Sequence, residues 1–501
     1  MSRKNGGIIG PANTPVGGII TGVASGVWRP NDLLNFVSNN QWPPAPENIE
    51  NSVRMDGDQS DDSLSKSISG VSITKFTLSF WTKYSGAQNI GSEGPIVFSS
   101  ENNSSDYISF QFNTANEIDF QFQGTQNRRI TTRKFRDPSA WYHIMVVIDT
   151  TQSTASDRLK IYVNGSQETA FGTSTTNVSQ DASISPLDET LNYSIGRYNG
   201  ASSDFCYDGY LAEFVAVYGQ ALTPSSFGET DTASGIWKPK KIGQIANAGS
   251  NSFYLNFKDS SNLGKDESGN SNNFTVNNLT SVDQSTDSCV ENFATMNSIV
   301  PTPDASWAEG NLQVTGSDAT EYSANNTSTI GVSSGKWYME VEYDSAGSNT
   351  NPYVGICPMS ASETTNMTGS VTDACVVRMD NEIYKEGSAT SSFFGSSISA
   401  GNTIGIALDM DNQKVWFHLN GTYPNSGNPA TGANAAFDGI TSGETMAFCV
   451  RPLNATFKLN FGSPPYSISS GNSDANGFGN FEYSVPSGFF ALNTSNLNTY
   501  G

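Results

Sequence analysis

Between residues 51 and 230 apolar side chains recur at every second position rather than at the 3.6-residue spacing of a helix, which predicts strands with one face on a core. In YISFQFNTANEIDFQFQG, residues 107–124, Ile108, Phe110 and Phe112 share a face; Ile118, Phe120 and Phe122 share one in turn after the NTAN turn, giving a hairpin. FTLSFW (76–81), WYHIMVVID (141–149), RLKIYVNG (158–165) and YLAEFVAVY (210–218) supply further strands, separated by Gly, Asn and Ser turns. Short strands at this density predict a sandwich of two antiparallel sheets.

A second block of the same period runs from 304 to 466. KWYMEVEY (336–343) places Trp337, Met339, Val341 and Tyr343 inward, and TIGIALDMDNQKVWFHLNG (403–421) reads as strand, MDN turn, strand, NG turn. In the last strand Val415, Phe417 and Leu419 point one way, Trp416 and His418 the other. The predicted fold class is all-β: two antiparallel β-sandwich (jelly-roll) domains in tandem, with an irregular N-terminal segment and a linker. The expected boundaries are an anchor segment at 1–50, sandwiches at 51–230 and 304–466, a linker at 231–303 and a C-terminal extension at 467–501.

One short sequence occurs twice, as ASGVWRP at 24–30 and ASGIWKP at 233–239, followed by unrelated text. The sandwich is therefore not itself duplicated. A Trp between a Gly and a basic-Pro pair makes a compact docking element: Gly turns the backbone, the indole buries, and Pro halts regular structure. Trp28, Pro30, Trp237 and Pro239 are expected to form a joint used before and after the first sandwich.

Composition narrows the function. The chain of 501 residues has 26 Lys and Arg against 48 Asp and Glu, a net charge of -22, which opposes nucleic acid and anionic membrane because each phosphate contact needs a cation. Only 15% of residues are charged, with Ser, Thr, Asn and 47 Gly in the polar places, a profile of neutral, hydrogen-bonding loops. The N-terminus lacks the apolar stretch of a secretory signal, and no stretch approaches the roughly 20 apolar residues of a membrane span, so no membrane insertion is expected. The five cysteines are scattered, without metal-type spacing, and read as buried small hydrophobes in a reducing compartment.

NSVRMDGD (51–58), FTLSFWTK (76–83), FRDPSAWYHIMVVIDTTQ (135–152), YSIGR (193–197) and DGYLAEFVAVYGQALTPSSFGE (208–229) resemble the laminin-G-like, concanavalin A-type jelly roll of tailed-phage structural proteins. The stretch 253–287 is similar to one that follows that domain in marine phage proteins, and GFFALNTSNL (488–497) to their closing stretch. GKWYMEVEY (335–343), YVGI (353–356), FKLNFG (457–462) and the spacing of Gly401, Gly405, Asp409, Asp411, Asn412, Phe417, Asn420 and Gly421 resemble a SPRY domain. The resemblance implies a virion component, a fibre or surface appendage of tail or head, assembled in the host cytoplasm. It would be held to other virion proteins through residues 1–50 and would form a homo-oligomer such as a trimer. A capsid decoration or fibre stalk is the architectural alternative, and a polysaccharide depolymerase a third reading.

EIDFQF at 117–122 resembles the E-x-D-x-E strand of laminarinase-type hydrolases at Glu117 and Asp119, but Gln121 or Phe122 stands where the second acid belongs; without it the leaving oxygen has no proton donor. His143 and His418 lie in apolar strands, and no nucleophile or metallohydrolase motif occurs, so no catalytic residue and no enzyme activity is expected. No cofactor is expected, although Asp56, Asp58, Asp61 and Asp62 cluster as hard oxygen ligands for calcium. Loops at one end of a sandwich suit a host-surface glycan or protein receptor, with aromatic rings for sugar faces and amides for hydroxyls. The candidate ligand-binding residues are Asn349, Asn351, Tyr353, Asp380, Tyr384, Phe393 and Phe394.

Overall fold

The computed structural model describes residues 49–57, 62–86, 94–199, 205–232, 234–242, 245, 248–299, 305–317, 325–347, 351–361 and 365–501. Trp28, Pro30, Asp58, Asp61 and Asn349 lie outside the described residues. The described chain is nearly all β, with one short α-helix, Thr494–Tyr500. Among the described residues no helix is long and apolar enough to cross a membrane.

The first sandwich has two eight-stranded sheets. Sheet I runs Ser166–Gln167, Leu159–Val163, Trp141–Asp149, Lys75–Tyr84, Gly209–Tyr218, Ser52–Met55 and Gln284–Ser285 in spatial order, with Phe253–Leu255 also on Gly209–Tyr218. Sheet II runs Phe171–Thr176, Asn127–Lys134, Glu117–Phe122, Asp106–Phe112, Ile96–Asn103, Leu191–Ile195, Ser63–Ile68 and Thr275–Asn277. The alternation read from sequence is what builds the core: Ile108 pairs across from Phe122, Phe110 from Phe120 and Phe112 from Ile118, and all six rings and branched chains point into it. Phe76, Leu78, Phe80, Ile144, Val146 and Ile148 close it from sheet I.

The stretch 231–303, expected as a linker, contributes strands to this sandwich. Phe253–Leu255 and Gln284–Ser285 join sheet I, and Thr275–Asn277 joins sheet II. Each is three residues or fewer, too short to show a period, yet Phe253, Leu255 and Phe274 are buried in the first core.

The second sandwich packs a seven-stranded sheet III on a six-stranded sheet IV. Sheet III holds Ala305–Ala308, Gln313–Gly316, Thr456–Asn460, Lys336–Ser345, Asn402–Asp409 and Lys414–Leu419. Sheet IV holds Asn326–Thr327, Met446–Arg451, Tyr353–Pro358, Cys375–Arg378, Glu382–Lys385 and Ser388–Thr390. Trp337, Met339, Val341 and Tyr343 share the core with Val415, Phe417 and Leu419. The C-terminal stretch covers the outer face of sheet III: Phe490–Ala491 pairs parallel to Lys336–Ser345, and Phe481 and Phe489 bury against Tyr338 and Trp416.

Two buried cations tie the sandwiches to the connecting chain. Arg54 is 1% exposed; its Nε donates to Glu309 at 2.7 Å, and its terminal nitrogens donate to the carbonyls of Pro464 and Val282 at 3.2 and 3.0 Å. Lys83 is equally buried, and its ammonium donates to Asp287, Asn292 and the Phe293 carbonyl, each at 2.8 Å. Three acceptors match the three protons of an ammonium, so the buried charge is fully satisfied. Further contacts cross between the sandwiches: Ser285 to Ser463, the Gly310 amide to Asp208, and the Ser298 hydroxyl to the Ser85 carbonyl.

Candidate functional site

Two clusters of candidate residues stand on opposite faces of sheet IV. Tyr353 is fully buried on its outer side with Met367, Val376 and Cys449, and its hydroxyl accepts from the Met367 amide at 3.1 Å, so its ring presents no surface to a ligand. Tyr384 is half-buried beside that cluster; its hydroxyl donates to Glu382 at 2.8 Å and the Arg378 guanidinium lies 4.9 Å over its ring. Arg378 also pairs with Asp380 and Glu382. Asp380 and Tyr384 thus belong to one self-neutralised surface network. Asn351 is half-buried and likewise bonded.

Phe393 and Phe394 stand at the rim of the second core. Asn381 places them: its carbonyl accepts from the Phe393 amide at 3.0 Å and its side chain from the Phe394 amide at 2.9 Å. Asn381 has φ 70°, a left-handed turn that Asn tolerates. Phe393 meets the core Phe417 edge-on at 6.4 Å and remains half-buried.

Beside Phe393 opens a cleft of about 270 Å³, walled by Lys385 and Thr390 of sheet IV, by Trp416, and by the loop carrying Tyr423, Asn425 and Asn434. That loop is rigidified by its own turns. Asn428 accepts from the Thr431 amide at 3.2 Å, the Trp416 indole donates to the Ala433 carbonyl at 2.8 Å, and the Asn434 amide nitrogen donates to the Asn425 carbonyl at 3.1 Å. Among the described residues the Asn425 side chain makes no hydrogen bond and Lys385 no ion pair, while both Asn425 and Asn434 are exposed. A half-buried ring beside the open Asn425 amide, the exposed Asn434 side chain, one hydroxyl and one ammonium is a surface for a ligand rich in hydroxyls with one apolar face. Sequence reading found Phe393 here but missed the other walls, because NSGNPATGAN at 425–434 has no apolar period and its partners are 30 to 50 positions upstream.

The remaining chemical candidates have structural partners. Asp119 is buried and held by Arg128 at 2.9 and 2.5 Å, with Gln121 beside it, and Glu117 faces Lys134 at 3.6 Å. Asp56 accepts from the Glu309 amide at 3.4 Å and Asp62 is buried; among the described residues no group of three potential metal ligands stands together. Among the five free thiols only Cys289 is less than fully buried. Trp237 docks on the outer face of sheet I, its indole donating to His143 Nδ1 at 3.2 Å, and Pro239 pairs opposite Gly228.

Both histidines are buried, neutral and oriented. Trp237 fixes Nδ1 of His143 as an acceptor, leaving Nε2–H for the Ser79 hydroxyl at 2.9 Å. The Gly421 amide does the same to His418, whose Nε2–H then meets the Tyr338 hydroxyl at 2.8 Å. Gly405, opposite His418 in register, makes room for the ring: a Cβ there would lie 1.9 Å from Nε2. Burial lowers each imidazole from 6.5 to about 3. The unfolded chain therefore takes up protons first, and stability present above pH 6.5 is lost as pH falls toward 3, at up to about 1.4 kcal/mol per pH unit for each ring. Replacing His418 by Gln should flatten the acid limb of unfolding free energy by about that slope, read by urea denaturation from pH 7 to 4; an unchanged slope would show that His418 is not buried neutral.

Matches to two known domain families agree with the two-sandwich architecture. Residues 58–226 match the concanavalin A-like lectin/glucanases superfamily, and residues 336–464 match the SPRY domain. The SPRY domain of human HERC1 is 20% identical over 32% of this chain and 95% of its own, with a TM-score of 0.25. A native heptameric SAP-like pentraxin from Limulus polyphemus is 16% identical over 35% of this chain and 79% of its own, with a TM-score of 0.26. None of the curated proteins compared with the chain matches it significantly. The chain carries a concanavalin A-like domain and a SPRY domain in tandem, domain types that point to a binding role.

Proposed function

We propose that this tandem of a concanavalin A-like domain and a SPRY domain is a non-enzymatic binding protein of a tailed-phage virion, which recognises a host-surface glycan through the Phe393 cleft. The carrying observation is the cleft itself, where a half-buried ring stands beside Asn425, Asn434, Thr390 and Lys385. The ring suits the apolar face of a sugar, and amides and hydroxyl suit its hydroxyl groups. Lys385 adds one cation to an acidic surface, which favours a saccharide bearing a carboxylate over a fully neutral one. The non-enzymatic reading is supported by the commitment of Asp119 to Arg128 and by the amide of Gln121 where a second acid would be required. The virion assignment rests on the resemblance of residues 51–58, 253–287 and 488–497 to phage chains, with residues 1–50 as the attachment to other virion proteins and a homo-oligomer, such as a trimer, as the displayed form.

A single sugar contact of this kind is weak, near millimolar, about -4 kcal/mol. Several copies on one particle raise avidity by roughly 10²- to 10⁴-fold, which suffices for adsorption. The purified oligomer should adsorb to host cells and to acidic saccharides on a glycan array while releasing no reducing ends from any saccharide it binds. Failure to adsorb to either would favour an architectural role as decoration or stalk; cleavage would establish a depolymerase.

A further inference from the structure

We propose that residues 24–37, the first ASGxWxP sequence and the apolar LLNFV behind it, dock in a second cleft on the outer face of sheet I of their own chain. That cleft, of about 520 Å³, runs along Val215 and Val217 and is walled by Ile242, Ile245, Tyr254 and Asn270. Beneath it Met145, Val147 and Phe227 are buried in the same apolar cluster as Val215 and Val217. Its walls are mixed, with half-buried Ile242, Ile245, Ala248 and Tyr254 beside polar Glu267, Ser268 and Asn270, so it suits a segment that carries apolar and charged side chains together.

Two independent observations identify the occupant. A seven-residue sequence that differs from it only by Ile for Val and Lys for Arg docks its Trp on this face: Trp237 stacks on His143 with ring centres 5.9 Å apart, pressed so closely on Gly165 and Gly228 that a Cβ at either would lie 2.5 Å from the indole. Its neighbour Lys238 pairs with Asp231 at 3.2 Å and Glu229 at 3.6 Å. Residues 24–30 carry the same elements, Trp28 followed by Arg29 and Pro30, and Glu267 on the cleft wall, now paired with Lys265 at 2.8 Å, offers Arg29 a carboxylate.

The second observation is where the chain arrives. Ile49 is buried on the same outer face against Trp81 and Ala212, with Trp237 packed beside it. Ala212 and Val217 belong to one strand, Gly209–Tyr218, so the cleft begins roughly 10 to 17 Å from that point. The 11 residues 38–48, between the docked segment and Ile49, can span up to roughly 36 to 40 Å. The segment therefore leaves the sandwich beside the cleft with ample length to return to it. This docking leaves residues 1–23 for attachment to a particle and does not depend on the glycan reading.

The test uses the full-length chain and a fluorescent peptide of residues 22–38. Trp28→Ala should leave the melting temperature of the sandwiches within a few degrees and vacate the cleft. The peptide should then bind Trp28→Ala at least 10-fold more tightly than it binds the unaltered chain, whose own segment competes. Adding Ala248→Trp, which fills the cleft, should abolish that binding. No binding to Trp28→Ala overturns the proposal. An unaltered chain that is oligomeric and becomes monomeric with Trp28→Ala also overturns it, since the segment would then fill the cleft of a second copy.

Discussion

Replacing Lys83 by Ala is expected to cost about 3–5 kcal/mol of stability, because it leaves a carboxylate buried without its cation. Asp287 is 1% exposed, and with the ammonium gone its remaining side-chain partner is the Trp141 indole at 3.0 Å. Asn292 and the Phe293 carbonyl would lose their donor in the same step. The double variant Lys83→Met with Asp287→Leu removes both charges and should recover most of the loss, since apolar pairs of similar volume replace buried ion pairs at little net cost. Urea unfolding of the two variants reads the difference. A loss under about 1 kcal/mol for Lys83→Ala would mean that the ammonium is not buried as described.

The second large effect concerns Glu340, fully buried on the outer face of sheet III and without an ion pair among the described residues. Its carboxylate accepts from the amides of Glu482 and Tyr483 and from the Tyr338 hydroxyl, each at 2.8 Å. Burial pushes its pKa above the ordinary carboxylate value, against those donors. Two of the donors belong to the C-terminal stretch, so this side chain anchors that stretch to the second sandwich. Glu340→Ala leaves two backbone amides and one hydroxyl without an acceptor, at about 1–3 kcal/mol apiece, together about 3–5 kcal/mol if part of the site relaxes to admit water. Protease cleavage between residues 467 and 485 should accelerate accordingly, with Glu340→Gln intermediate because its amide offers one acceptor oxygen where the carboxylate offers two. Unchanged cleavage and melting would remove the anchoring role.

How much of this could be read beforehand follows from the range of each interaction. The inward faces of Ile108 to Phe122, Trp337 to Tyr343 and Val415 to Leu419 are local, set by alternation, and the cores contain those residues as the pattern predicts. Tandem sandwiches follow from them. The clamps at Arg54 and Lys83 are not local: Glu309 and Asp287 lie 255 and 204 positions away, and a lone basic residue in a strand gives no sign of such a partner. The strands at 253–285 were hidden by shortness, since two or three residues at a sheet edge have no period.

The binding candidates divide for the same reason. Tyr353 and Phe393 both come from stretches with aromatic residues near polar loops, and composition does not separate them. Strand parity does: Tyr353 points to the outer face of sheet IV beneath Met367, while Phe393 follows the Glu382–Lys385 and Ser388–Thr390 hairpin around to the rim of the core. Asn425 and Asn434 were invisible because a loop's side chains acquire a common direction only once its turns are known.

Recognition through the cleft beside Phe393 is tested by the binding isotherm of an acidic oligosaccharide that adsorbs the protein, compared between the unaltered chain and a chain carrying Asn425→Ala and Asn434→Ala. Both side chains are exposed, so the substitutions leave the core intact, and Asn425→Ala alone, which removes no hydrogen bond among the described residues, separates a lost contact from a loosened loop. Affinity should fall at least 10-fold, about 1.4 kcal/mol, with the melting temperature nearly unchanged. Equal affinity of the two chains would contradict the assignment and move recognition elsewhere on the molecule.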